Sequence, residues 1–264
     1  MEKFAEKVLE IVKKIKKGSF LSYKEIAKMA GNERAARLVG NILAQNKDPS
    51  IPCHRVIKSN NEIGGYKGSL KNSWEKAAIL LKEGAIGVLP TDTIYGILGS
   101  ARNKNVVEKI YKLKKRNPKK PSIILISSLN DLKEFKIKLK KWQKIFLEKI
   151  IPSKISFILP CSQKEYFYLH RGTNTLAFRV PNDKRVLKLL QISGPLIAPS
   201  ANFEGKKPAE TISEAKKYFK NKVFYLNGGR LKNLPSTLID LTQKEIKIIR
   251  KGGDFQKLKK IFSK

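Results

Sequence analysis

Cysteine, histidine, methionine and tryptophan each occur only twice in this 264-residue chain. The two cysteines, Cys53 and Cys161, lie far apart, which excludes a disulfide-stapled scaffold and fits a reducing cytoplasm. Cys53 and His54 are adjacent and match no ligand spacing, so these four residues are not expected to bind a metal. No apolar run approaches the ~20 residues of a membrane-spanning helix. Met1–Lys17 alternates apolar and charged positions, so no secretory leader and no membrane partner are expected. Internal repeats and long low-complexity linkers are also missing.

Acidic residues are scarce. Against 56 Lys and Arg stand 22 Asp and Glu, a formal net charge of +34. Such an excess attracts phosphates, and nucleic acid is the obvious polyanion. A genome biased toward lysine, isoleucine and asparagine codons gives the same balance, so charge alone does not decide. The hydrophobic fraction of 41% suffices for packed cores, and the length fits one large domain or two ordinary ones.

The pattern changes character across Trp74–Gly96. Ala77, Leu80 and Leu81 recur at the spacing of one helical face, and Gly84 ends that helix. Ile86–Leu89 reads as a buried strand stopped by Pro90, with Thr91, Asp92 and Thr93 at its carboxyl end, where open α/β sheets bind ligands. The boundary is therefore set at 1–73 and 74–264, and a fragment from Ser73 onward is expected to fold by itself.

Upstream, Phe4, Val8, Ile11, Val12 and Ile15 form the stripe of an amphipathic helix closed by Gly18. Ser22 with Glu25 reads as a capping box opening a helix over Tyr23–Ala30. A second helix is expected over Glu33–Gln45, after Gly31-Asn32, giving a helix-turn-helix. Pro52-Cys53-His54-Arg55-Val56 then puts a thiol beside an imidazole and a guanidinium. Positive neighbours are expected to lower the thiol's pKa; a small buried cysteine of no chemical consequence has the same sequence.

Downstream, helical and strand-like stretches alternate, which argues for α/β architecture. Helices are expected over Asn105–Leu113, Leu129–Ile150 and Lys184–Gln191. Strands are expected over Ser122–Ile126, Ile155–Pro160, Thr175–Val180, Leu196–Ala198, Val223–Leu226, Thr237–Leu241 and Ile246–Ile249. Polar groups gather where these elements end: Lys114-Lys115-Arg116, Ser200-Ala201-Asn202, Ser236-Thr237, Arg179 and Arg250. Each alone could be an ordinary turn, helix end or surface charge.

Taken together, the first set resembles the C-terminal, DNA-binding domain of the O6-alkylguanine-DNA alkyltransferases. It comprises Ser22-Tyr23, Ala35–Gly40, Asn46, Pro52–Val56 and Gly64-Gly65-Tyr66, in that order. The resemblance implies a winged-helix-like domain acting on double-stranded DNA by suicide repair. A base is flipped out because its alkylated oxygen is unreachable in the stack. Arg37 replaces it, Tyr23 helps rotate the phosphate, and Arg55 and Tyr66 help hold the DNA. Cys53 accepts the alkyl group, His54 relays the proton, and Glu83 receives it; no cofactor is required. Departures are Lys67-Gly68-Ser69 after the Gly-Gly-Tyr, and a Glu83 that falls about three residues late.

The second set resembles the YrdC family of threonylcarbamoyl-AMP synthases across Lys76–Lys264. It comprises Pro90–Gly96, Lys114-Lys115-Arg116 with Pro121, Phe178–Pro181, Pro199–Asn202, Pro235–Thr237 and Arg250-Lys251-Gly252. The resemblance implies a larger, twisted, open α/β sheet domain. The implied reaction joins L-threonine, bicarbonate and ATP, with Mg2+, into threonylcarbamoyl-adenylate and pyrophosphate. A partner complex then modifies tRNA, and double-stranded RNA binding is implied with it. Thr93, Arg179 and Ser236 are implied to bind threonine. Lys114, Arg116, Lys120, Thr175, Ser200, Asn202, Thr211 and Arg250 are implied to bind ATP. Glu204 departs from the serine usual after the Ser-x-Asn. Two other readings stay open: the first domain as only a damage sensor or nucleic-acid tether, and the second as a nucleic-acid binder or another carbamoyl-adenylate enzyme.

Overall fold

The computed structural model describes residues 2–65 and 72–262. Tyr66, and Lys67 to Ser69 after it, lie outside the described residues. The chain begins with α1 (Glu2–Lys13), β1 (Leu21–Ser22) and α2 (Tyr23–Met29). The capping box forms as read: Ser22 Oγ accepts from the Glu25 amide at 3.1 Å, and Glu25 Oε2 accepts from the Ser22 amide at 2.6 Å. The expected second helix is split into a 3-10 turn, Glu33–Ala35, and α3 (Ala36–Gln45). A further 3-10 turn, Cys53–Arg55, leads into β2 (Val56–Ile57), which pairs with β1 in parallel. Val8, Val12, Ile26, Val39, Leu43 and Val56 close a small core inside this first region.

Then follow α4 (Ser73–Lys82), β3 (Gly87–Leu89), β4 (Gly96–Ser100), α5 (Lys104–Lys114), β5 (Ile123–Leu125), α6 (Lys141–Ile150) and β6 (Ile155–Pro160). After these come α7 (Phe167–His170), β7 (Thr175–Arg179), α8 (Lys184–Ser193), β8 (Leu196–Ile197), α9 (Ile212–Phe219), β9 (Phe224–Tyr225), β10 (Thr237–Asp240), β11 (Lys247–Arg250) and α10 (Phe255–Phe262). The nine-stranded sheet runs β11-β10-β6-β7-β5-β8-β4-β3-β9. It is mixed: β10–β6, β5–β7 and β3–β9 are parallel, and the other pairs antiparallel.

Further sequence expectations change. The stretch Leu129–Ile150 is not one helix. A 3-10 turn over Leu129–Phe135 ends at Lys136, whose φ of 55° is left-handed, and α6 begins only at Lys141. Strand β4 is glycine-rich and carried no strand signal. Its glycines are there for contact: a Cβ at Gly99 would lie 2.5 Å from Val106 Cγ1, so only glycine lets α5 lie this close. Helices α9 and α10 are eight residues each, too short for a clear periodic stripe.

Helix α4 starts at the expected boundary and packs against both regions. Ala77, Leu80 and Leu81 share a fully buried cluster with Val186, Leu189 and Leu190 of α8, and with Ile57 and Ile63 of the first region. The first region also extends the large sheet. The Ile63 amide donates to Tyr225 O, and the Tyr225 amide donates to Asn61 O, both at 2.8 Å. Glu62 pairs with Lys216 at 2.7 Å, and the Phe20 ring meets Phe224 edge-on at 6.3 Å. The β9 edge is thus covered by the first region instead of facing water. Among the described residues, no helix is long and apolar enough to cross a membrane.

Two candidate active sites

The first site gathers around Cys53, a half-buried free thiol at the start of its 3-10 turn. Asn46 Nδ2, just past the end of α3, donates to Cys53 Sγ at 3.4 Å. Glu83 closes the site from the far end of α4. Its Oε2 lies 3.0 Å from His54 Nε2, and it takes Arg55 on both oxygens, at 2.8 and 2.7 Å. Arg55 Nη1 also donates to Ile15 O, anchoring the pair to the loop after α1. The late position of Glu83 is therefore no obstacle: α4 is unbroken and carries it to His54.

Electrostatics differ from the sequence expectation. Burial pushes the Cys53 thiol up, and the Asn46 hydrogen bond only partly offsets it. The thiol is thus not a standing thiolate. Burial pulls His54 down, against the hydrogen bond to Glu83. Burial would raise the Glu83 carboxyl, but Arg55 and His54 outweigh it and hold it below its usual range. A neutral thiol beside a neutral imidazole backed by a carboxylate can move its proton to His54 when an electrophile arrives.

Tyr23 is half-buried, and Arg37 is exposed on α3. Lys76 was missed in the sequence. It is 1% exposed, lies over the Tyr23 ring at 6.0 Å, and donates to the carbonyls of Val56 and Gly65. Burial brings it down to about 8, and the Cys53 thiol acts against that shift. A lysine on a helix reads as solvated, so no local signal distinguished it.

The second site is a cavity of about 530 Å3 in the sheet domain. Of the residues singled out from the sequence, Thr93, Arg116, Thr175, Arg179, Ser200, Ser236 and Arg250 line it, with Thr91 and Thr173 beside them. Arg179 is 5% exposed and pairs with Asp92 at 3.2 Å. Its Nε and Asp92 Oδ1 have no hydrogen-bond partner among the described residues. Arg250 donates to Ser236 O at 3.0 and 2.8 Å and to Ser236 Oγ at 3.2 Å, while Ser156 Oγ meets Ser236 Oγ at 2.8 Å. Burial, and then the nearby Arg179, lowers the Arg250 pKa. Three guanidiniums around one cavity, with Asp92 pairing only Arg179, make a receptor for anions.

Lys114, Lys120, Asn202 and Thr211 do not line the cavity. Lys114 is 1% exposed, and its ammonium donates to Ser200 O and Asn202 O at 2.5 and 2.6 Å. Burial lowers it to about 7, helped by Arg116. It acts as a brace under the Ser200–Asn202 turn. Asn202 donates to Phe203 O and Lys206 O, Lys120 pairs with Glu204, and Thr211 caps α9. Among the described residues, no group of three or more His, Cys, Asp or Glu could hold a metal ion.

Two family models match the chain, one toward each end. A family model described as Telomere recombination, of the Sua5, YciO and YrdC proteins, matches residues 79–252. One described as 6-O-methylguanine DNA methyltransferase, DNA binding domain, matches residues 3–85. The two overlap on the end of α4 and Glu83. Threonylcarbamoyl-AMP synthase of Pyrococcus abyssi is 31% identical over 67% of this chain and 53% of its own length. Methylated-DNA--protein-cysteine methyltransferase of Rattus norvegicus is 39% identical over 38% of this chain and 47% of its own. The crystal structure of P. abyssi Sua5 complexed with L-threonine superposes at a TM-score of 0.66 and 28% identity, over 72% of this chain and 57% of that one. This chain thus spans about half the length of these relatives. It belongs to the Sua5/YciO/YrdC family, and its first region is similar to the 6-O-methylguanine DNA methyltransferase DNA-binding domain.

Proposed function

We propose that the protein is bifunctional: a threonylcarbamoyl-AMP synthase fused to a suicide O6-alkylguanine-DNA alkyltransferase. The observation that carries the first half is the cavity of Arg116, Arg179 and Arg250 set among threonine and serine hydroxyls. The orphaned Arg179 Nε is a buried donor in need of an anion, and the carboxylate of L-threonine suits it. P. abyssi Sua5, a 28% identical relative, has been crystallised in complex with L-threonine. Thr93 and Ser236 line the same cavity and suit threonine, while Arg116, Ser200, Thr175 and Arg250 suit the triphosphate and adenylate of ATP. Magnesium enters with the triphosphate as part of the substrate. Fixed guanidiniums stabilise the charge that builds up as pyrophosphate leaves. Bicarbonate supplies the carbon of the carbamate, and the adenylate goes on to tRNA through a partner complex. The purified protein given threonine, bicarbonate and ATP should form threonylcarbamoyl-adenylate. If pyrophosphate release does not depend on threonine and bicarbonate, this half is wrong.

The second half rests on Cys53 beside His54, whose Nε2 meets Glu83, behind an exposed Arg37. Cys53 Sγ attacks the alkyl carbon, its proton passes to His54, and guanine leaves; the thioether is stable, so each molecule reacts once. Duplex DNA with O6-methylguanine should add one methyl mass to the intact protein, on the Cys53 peptide. Cys161 is 2% exposed and should stay unmodified. Binding of the lesion with no mass gain would instead favour a damage sensor.

A further inference from the structure

The loop between α5 and β5 is unusually positive. Lys114, Lys115, Arg116, Lys119 and Lys120 fall within seven residues. One carboxylate sits on this loop. Glu204 Oε2 accepts from the Asn117 amide, and Glu204 Oε1 accepts from Lys120 Nζ at 3.1 Å. The Glu204 amide in turn donates to Lys114 O at 3.0 Å. Glu204 therefore joins the loop to the Ser200–Asn202 turn that Lys114 braces from below.

A backbone N–H and an ammonium converging on one carboxylate is a built anion site with an internal occupant. It borders the cavity. Arg116 lines the cavity and donates to Lys120 O at 3.2 Å, and Pro121, the next residue, lines the cavity too. On the far side, Ser200 lines the cavity and leads to Glu204 within four residues. Lys120 and the Asn117 amide are the next donors along the loop from Arg116. Two anions cannot share those donors without repulsion.

We propose that Glu204 is a built-in competitor of the triphosphate. It holds the Asn117 amide and the Lys120 ammonium when the site is empty, gives them up to the terminal phosphates, and reclaims them as pyrophosphate departs. This makes Glu204 a positioning residue that limits how tightly the site keeps its product. The inference rests on the synthase reading above.

Direct titration of the full chain with pyrophosphate, and with ATP in competition, tests it. Wild type, Glu204→Gln and Glu204→Ala are compared. Competition predicts that both variants bind pyrophosphate about 10-fold more tightly, and that adding Lys120→Ala to Glu204→Gln removes most of the gain. A merely structural clamp predicts the reverse order: Gln keeps the bond to Asn117 and is neutral, whereas Ala loosens the loop and weakens binding. That result, or unchanged affinity in both variants, overturns the proposal. If wild type binds neither ATP nor pyrophosphate, the synthase reading itself fails and the proposal falls with it.

Discussion

Glu83 receives Arg55 on both carboxylate oxygens while the same Oε2 also meets His54. One carboxylate thus orients the imidazole and neutralises a nearly buried guanidinium. Glu83→Gln keeps the shape but loses the charge. Methyl transfer to Cys53 should slow about 10²-fold, the usual scale for impairing a proton relay. Because Arg55 is left uncompensated, unfolding free energy should fall by about 3 kcal/mol. Single-turnover kinetics and urea denaturation measure the two effects; an unchanged transfer rate would remove Glu83 from the relay.

The pH profile of transfer follows from the two shifts. Burial holds the thiol above its ordinary value and the imidazole below its own, so near neutral pH both are uncharged. Transfer should be level through neutral and mildly alkaline pH and decline only on the acid side, where His54 takes up a proton. In His54→Ala the base is gone and the rate should follow thiolate, rising about 10-fold per unit through neutral pH. A wild-type rate that rises steeply through pH 7 would show that His54 is not the base.

Local motifs made Cys53, His54 and the Arg179–Ser236 set legible, because each consists of unusual neighbours in sequence. Burial was not legible. Lys76 read as an ordinary helix lysine and Lys114 as an ATP ligand, and only the packed chain shows their ammonium groups against carbonyls with almost no access to water. The thiol pKa was misjudged for the same reason: the neighbours were visible in sequence, whereas the desolvation that outweighs them is a property of the fold. Gly96 and Gly99 hid β4 because they were selected by what lies above the strand.

Lys114 has a checkable signature. Its folded pKa is about 7, against 10.5 when free. Between these values the unfolded chain binds the proton and the folded chain does not. Stability from this group therefore rises with pH from 7 to 10.5 and is level below 7. Measured by urea denaturation, wild type should gain on Lys114→Met as pH rises from 7 to 9.5. A constant difference would mean that the lysine is charged throughout. Lys114→Ala and Arg116→Ala should both lose threonine-dependent pyrophosphate release, the first because the Ser200–Asn202 turn loses its brace.

Helix α4 decides whether the two halves are separable. Its Lys76 and the Glu83 that follows it serve the Cys53 site, while Leu80 and Leu81 lie in the cluster that holds Leu189, Leu190 and Phe224 of the sheet domain. A cut at residue 73 leaves the helix in the second fragment but strips Ile57 and Ile63 from that cluster and Asn61 and Ile63 from the β9 edge. The intact chain should therefore unfold in one transition, with a probe on Trp74 and a probe of Cys53 reactivity giving coincident curves. Leu80→Ala creates a cavity common to both halves and should lower that single midpoint by the equivalent of about 2–5 kcal/mol. The fragment 74–264 should be less stable than the full chain. Two separated transitions, with Leu80→Ala moving only one, would show instead that the halves are joined without being coupled.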